Sequence, residues 1–282
     1  MPLVPMESFE EAERLRAEVN RASGREINLI GEGWNYGEVA NGARFVQASQ
    51  LSLNGSGIGT FSDRARDAIR GGSAGDSGEA MISRQGYVNG LVYARNARAP
   101  KRPLSELMQA ADMVRVGLAG SLRDYPLQTW DDSRKTLQQI AYGEQPAGYV
   151  SEPAEVVNYV ENHDNQTLFD ANVYKLPLDT PRADRARVQM LAVALNAFSQ
   201  GVAYFHAGID TLRSKSLDRN SFNSGDWFNR IDWSYQDNYF GTGAPPAEDN
   251  AKDYGLIKPL LANAALKPAP ADIAFARDTF RD

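Results

Sequence analysis

Three groups of residues in this chain of 282 have types and spacings suited to chemistry. Glu32 lies in Gly31-Glu32-Gly33-Trp34, a carboxyl beside an indole, with glycines that let the backbone turn sharply. An apolar wall raises a carboxyl pKa by desolvation, and a general acid working near neutral pH requires that. A loop glutamate paired with an arginine is the other reading of the same string. His163-Asp164 offers a donor next to a carboxylate, suited to a polyhydroxylated substrate or to an oxocarbenium-like transition state, and Asn165 and Gln166 add donors and acceptors. A polar strand-end turn would look the same. Trp34, Tyr36, Trp227, Phe228 and Trp233 form the third group. They lie off any apolar stripe, so they suit stacking on sugar rings as well as packing loops onto the body of the fold.

Two further sets are weaker. Leu212-Arg213-Ser214-Lys215-Ser216 with Asp218-Arg219-Asn220 reads as a basic, polar loop, either a rim of hydroxyl donors or simply solvated. Asp63, Asp67, Asp76 and Asp226 could hold calcium, but no D-x-D-x-D-G loop is present, and salt-bridged or solvated aspartates explain them better. Only two histidines, His163 and His206, are present, so a three-histidine or H-E-x-x-H zinc site is excluded. With no cysteine, disulfides, thiolate catalysis and Cys-ligated zinc are excluded too.

These residues need elements to position them. Ser8-Phe9-Glu10-Glu11 predicts a capping box, followed by a helix with Ala12, Leu15, Val19 and Ala22 on one face and Gly24 as the stop. Ile27 to Ile30 predicts a short strand delivering Glu32. Ile58 to Phe61 predicts a second strand and Asp63 to Arg70 a helix, with the rest of residues 52–100 a long loop. A helix is predicted over Leu104 to Leu122, with Leu107, Ala110, Met113, Val114 and Leu118 inward, and a strand over Val156 to Val160 that delivers His163 and Asp164. Thr180-Pro181 opens an apolar helix to Phe198, closed by Gly201. A strand over Val202 to Phe205, a long loop over 209–250, and helices over Tyr254 to Ala264 and Ile273 to Arg281 complete the pattern. Helix and strand alternate and polar residues follow the strands, which predicts an α/β fold with a parallel sheet of about four strands.

Apolar residues make up 42%, charged residues 23%, and the net charge is −6, all ordinary for a globular chain. No Lys/Arg run marks a phosphate-tracking groove, so nucleic acid is not an expected partner. No apolar stretch reaches membrane-spanning length. Met1 to Phe9 carries no basic region followed by an apolar run, and a secreted, periplasmic or cytoplasmic parent all stay open.

At these residues the sequence resembles glycoside hydrolase family 13, and within it the pullulanase and limit-dextrinase group. The resemblance is carried by Ile30-Gly31-Glu32-Gly33-Trp34, Val157 through Leu168, Gly57-Ile58-Gly59-Thr60-Phe61-Ser62-Asp63-Arg64, and Ser221 through Arg230, in that family's order of motifs. It implies one domain over residues 1–282, the part of a (β/α)₈ TIM barrel from about the fourth helix to the eighth. It implies hydrolysis of α-1,6 linkages in branched α-glucans with retention, and no required cofactor. Glu32 then resembles the general acid/base, Asp164 the carboxylate that stabilises the transition state, and His163 a donor to the same sugar. Trp34, Asn165 and Arg219 resemble cleft contacts.

One part of the family pattern is missing. The nucleophile, an Asp in an Arg-x-Asp motif ahead of the acid/base, has no match. The acids upstream of Glu32 are Glu7, Glu10, Glu11, Glu13 and Glu18, assigned to the first helix, and Glu26, just before the strand. The family's earlier Asp…Asn-His motif is missing as well. Met1-Pro2-Leu3-Val4-Pro5 resembles the stretch just after the nucleophile strand. The C-terminus stops where the last barrel helix would lead into a β-sandwich. The expectation is a chain truncated at both ends and nearly inactive alone, because a retaining glycosidase needs two carboxyls about 5–5.5 Å apart. A non-catalytic α-glucan-binding or interaction module, or a fragment of another α-amylase-family glucanase, are the alternatives.

Overall fold

The computed structural model describes residues 8–25 and 27–282. Met1 to Pro5, Glu7 and Glu26 lie outside the described residues, so the expectations placed on them are not addressed by it. The helices are α1 (Phe9–Ser23), α2 (Asp63–Arg70), α3 (Glu79–Ser83), α4 (Leu104–Leu118), α5 (Leu168–Lys175), α6 (Arg182–Ala197), α7 (Asp226–Asn229), α8 (Ala247–Asn250), α9 (Tyr254–Leu261) and α10 (Pro270–Arg281). The strands are β1 (Ile30–Gly31), β2 (Gly59–Phe61), β3 (Pro126–Gln128), β4 (Arg134–Thr136), β5 (Ala141–Tyr142), β6 (Gln145–Pro146), β7 (Val156–Asn158) and β8 (Val202–Ala203). The chain divides into two compact units. One comprises residues 1–65, 112–159 and 198–204, and the other 66–111, 160–197 and 205–282.

The first unit holds a four-stranded sheet in the order β1-β2-β7-β8, parallel throughout, as the alternation of helix and strand predicts. Ile30 pairs with Gly59, Thr60 with Val156, and Val157 with Val202. Val156, Val157 and Asn158 are all buried, the mark of a parallel strand covered on both faces. In α1 the Ser8 hydroxyl accepts the Glu11 N–H, which is the N-cap half of the predicted capping box, and Gly24 ends the helix at φ +62°. Ala12 is buried with Ala48, Leu53 and Ile58, while Ala22, expected on the inward face, is exposed. Two antiparallel hairpins, β3-β4 and β5-β6, were not legible as strands. Leu127, Leu137 and Ala147 from this stretch bury against Val116.

The helix expected to reach Leu122 stops at Leu118, because Gly120 turns to φ +66° and donates to Gly117 O at 2.8 Å. A Cβ at Gly120 would sit 3.0 Å from Gln200 Cβ, so the turn needs glycine twice over.

The second unit is mainly helical. α10 and α5 both pack on α6, burying Ile273 and Ala276, Phe169 and Val173, and Met190 and Val193. The stretch read as loop over 209–250 contains α7, α8 and single 3₁₀ turns at Ile209–Thr211 and Ser221–Asn223. No helix among the described residues is long and apolar enough to cross a membrane.

Candidate functional site

Glu32 follows β1 at once and is exposed, with Trp34 beside it half-buried. Gly33 makes this turn possible. Its φ is +69°, and a Cβ there would lie 2.7 Å from Thr60 Cγ2 and 3.1 Å from Gln50 N. The Gln50 N–H donates to Gly33 O at 2.8 Å, and Gln47 Nε2 donates to the carbonyls of Trp34 (3.2 Å) and Tyr36 (3.4 Å). Asn35 and Asn41 close the loop beyond with paired hydrogen bonds of 2.7 and 2.8 Å. Tyr36 is 68% exposed.

Gln50 connects this turn to a buried cation. Its Oε1 accepts Arg64 Nη1 at 2.5 Å and its Nε2 donates to Phe61 O at 2.6 Å. Arg64 is fully buried. Its guanidinium also meets Asp63 and Gln145 and stacks 4.9 Å from the Tyr142 ring and 4.4 Å from the Tyr149 ring. Burial pushes the Tyr149 phenol up, and the Arg64 charge pulls it partly back. Sequence reasoning missed Arg64 as a hub, since an arginine beside an aspartate at a helix start reads as a surface pair.

In the second unit, His163 Nε2 and Asp164 Oδ1 are 3.5 Å apart, with side chains 69% and 50% exposed. Asn162 Oδ1 accepts the Asp164 N–H at 3.0 Å. Asn165 sits at φ +59°, where asparagine is tolerated better than most residues, and its Nδ2 donates to Ala74 O at 3.2 Å. The Asn165 side chain thus contributes to holding the turn. Lys215 Nζ donates to His163 O at 3.0 Å.

Behind this turn lies a buried polar network. Glu161, 1% exposed, faces His206 Nδ1 at 3.0 Å and also accepts the Leu168 N–H. Arg213 approaches His206 Nε2 at 3.2 Å and donates to Ala207 O (3.0 Å) and Asn229 O (2.7 Å). A guanidinium only donates, so His206 Nε2 accepts and its Nδ1–H points at Glu161. Asp170 accepts Ser214 Oγ at 2.6 Å and Lys215 N at 2.7 Å, and burial pushes its carboxyl up to about 6. Burial also drives the Lys215 ammonium and the Arg213 guanidinium downward, against the attraction of Asp170 and Glu161. The reading of Arg213 and Lys215 as a solvated or sugar-facing rim is therefore corrected. Both are buried, at 8% and 1% exposure. Arg213 spends its donors on His206 and the carbonyls of Ala207 and Asn229, and Lys215 is held through its backbone by Asp170 and through its ammonium by His163 O.

Arg219 is half-buried. Its backbone N–H donates to Asn250 Oδ1 at 3.1 Å, and its Nη1 is buried without a hydrogen-bond partner among the described residues. Trp227 and Trp233 are exposed, as is Phe222, and Arg230 stacks between Trp227 (4.2 Å) and Tyr239 (3.8 Å). Asp63, Asp67 and Asp76 each face an arginine at 2.5, 2.7 and 2.8 Å, as a salt-bridge reading expects.

Residues 235–282 match the family model "Alpha-1,6-glucosidases, pullulanase-type, C-terminal". The chain is 43% identical over 272 residues to pullulanase 1, chloroplastic, of Arabidopsis thaliana, covering 95% of this chain and 28% of that protein. It is 42% identical over 237 residues to the pullulanase of Klebsiella pneumoniae, covering 84% of this chain and 21% of the relative. The crystal structure of a maltotriose complex of PulA from Klebsiella pneumoniae superposes with a TM-score of 0.91 at 36% identity, over 97% of this chain and 29% of that one. The chain thus spans less than a third of the length of the relatives it matches. Within that span the chain is similar, by sequence and by structure, to proteins of the pullulanase group.

Proposed function

We propose that this chain is the part of an α-1,6-glucan debranching hydrolase that supplies the acid/base and the transition-state carboxylate of a retaining reaction. In this reading the chain is the portion of a (β/α)₈ barrel from about the fourth helix to the eighth. Glu32 protonates the departing sugar oxygen and later deprotonates the attacking water. Asp164 stabilises positive charge on the sugar at the point of cleavage, His163 donates to the same sugar, and Trp34 stacks on a ring. Asn165 and Arg219 are the remaining cleft residues of this reading. The substrate is a branched α-glucan. The nucleophile comes from sequence outside this chain, so the chain alone does not form a glycosyl-enzyme intermediate.

The observation that carries this reading is Glu32 at the end of a parallel strand, exposed and followed by a glycine whose left-handed turn no other residue fits. The identity to pullulanases over most of the chain supports it.

A second reading, a glucan-binding module without catalysis, is favoured by the exposed aromatic side chains Tyr36, Trp227 and Trp233. A chimera separates the two. This chain replaces the matching stretch of the Klebsiella pneumoniae pullulanase, and reducing-sugar release from pullulan is measured. The hydrolase reading expects activity that is lost in Glu32→Gln. A folded, maltotriose-binding but inactive chimera would establish the binding module instead. Pullulan hydrolysis by the isolated chain, lost in Glu32→Gln, would overturn the claim that the nucleophile lies elsewhere.

A further inference from the structure

The loop that carries Lys215 is costly in two ways. Leu212, Ser216 and Leu217 all have left-handed backbone, at φ +55°, +50° and +65°. Side chains with a Cβ rarely adopt this conformation, and such strain persists only where the surroundings over-determine it. The surroundings do so here. Leu212 and Leu217 are buried, Asn238 Nδ2 donates to Leu212 O at 2.7 Å, and the Ser214 N–H donates to Asn238 O at 3.2 Å. Asp170, in the first turn of α5, clamps Ser214 and the Lys215 N–H with its two oxygens. Thr167 caps the same helix by accepting the Asp170 N–H.

The second cost is the ammonium itself. Lys215 is 1% exposed, and desolvating a charge is expensive unless its donors are used. An apolar side chain of similar length would fill the space without that cost. What the lysine alone supplies is a donor at its tip, and that donor ends on the carbonyl of His163.

We propose that Lys215 is a positioning residue. Carried by the strained 212–217 loop and anchored through Asp170 to α5, it fixes the His163 carbonyl and so holds the exposed His163-Asp164 pair in its sugar-binding geometry. Its link to sugar rests on the proposed role of His163 and Asp164, whereas the fixing of the turn can be measured independently.

The test uses the full chain with ¹⁵N-labelled amides and maltotriose as the probe. In Lys215→Met the amide resonances of Asn162 to Asn165 shift or broaden, while those of α6 and α10 keep their positions. Maltotriose then binds about tenfold more weakly than to the parent chain, because the unfixed His163-Asp164 pair must be ordered on binding. If Lys215→Met does not fold, Lys215→Met/Asp170→Asn, which removes both buried charges, is expected to show the same local change. Unmoved amides at 162–165 in a folded variant overturn the proposal, and so does unaltered maltotriose affinity. A parent chain that binds no maltotriose refutes the sugar-binding reading of the pair, while the amide shifts still decide whether Lys215 positions it. Lowered thermal stability with those amides unchanged would mark Lys215 as merely structural and also overturn the proposal.

Discussion

Gly33→Ala is the sharpest perturbation of the acid's turn. Gly33 has φ +69°, where an L-residue pays about 1–2 kcal/mol for the left-handed backbone. The new methyl would also lie 2.7 Å from Thr60 Cγ2, 2.9 Å from Thr60 Cβ and 3.1 Å from Gln50 N. Thr60 is 1% exposed and sits in β2, so it cannot swing aside, and overpacking of this kind costs about 1–3 kcal/mol more. The expected loss is therefore about 2–5 kcal/mol of unfolding free energy. Gly37 is the control. It has φ +76°, but nothing lies within 4 Å of a Cβ built there, so Gly37→Ala should cost only the backbone share, about 1–2 kcal/mol. Urea titrations of the two variants and the parent measure both values. If Gly33→Ala falls within about 0.5 kcal/mol of Gly37→Ala, the close approach of the Glu32 turn to β2 does not limit this position, and the reasoning from Cβ space fails.

Other expectations follow from the buried charges and the proposed chemistry. Burial pushes the Asp170 carboxyl up to about 6, well above the usual aspartate range near 4, so between those values the folded chain holds a proton that the unfolded chain has released. Its contribution to stability is present below pH 4 and is lost as the pH rises through 6, by up to about 3 kcal/mol, and unfolding free energies of Asp170→Asn across that window should lack the slope. Arg64→Met leaves Asp63 and Gln50 without their buried donor and should cost about 3–5 kcal/mol by denaturant titration, with Arg64→Lys recovering little because one ammonium cannot replace the planar fork. In the pullulanase chimera, Glu32→Gln should lower the hydrolysis rate by about 10²–10⁴-fold, as removal of a general acid/base does, and an unchanged rate would reassign the acid.

How far the sequence reached depended on whether a signal was local. The Ser8 cap and the Gly24 stop marked α1, and the Asp63–Arg70 bounds of α2 were legible residue for residue. All four strands of the parallel sheet were read at their places, though the paired ladders are shorter than the apolar runs. Glu32 and His163-Asp164 stood out because polar residues directly after apolar strands have no packing reason to be there. α5 escaped notice for the opposite reason. Every residue from Leu168 to Lys175 is buried, so there is no polar face and no 3.6-residue stripe to find. The hairpins over 126–136 and 141–146 are too short for alternation to register.

The sequence by itself thus determined the alternating α/β pattern and the glycine turns, because each rests on neighbouring residues, and it put forward Glu32 and His163-Asp164 as candidates whose roles came only from the family resemblance. Only the tertiary structure decided where the charges went. Arg64, Arg213 and Lys215 are hydrophilic by type, and nothing beside them in the chain announces burial. Arg64 is buried because two tyrosines and Gln145 close over it, and the Arg213–Lys215 stretch because Asp170 holds Ser214 and Lys215 from some 45 residues away while His206 and two main-chain carbonyls take up the Arg213 donors. A buried charge is stable only where distant partners replace its water, and such partners exist only once the chain has folded.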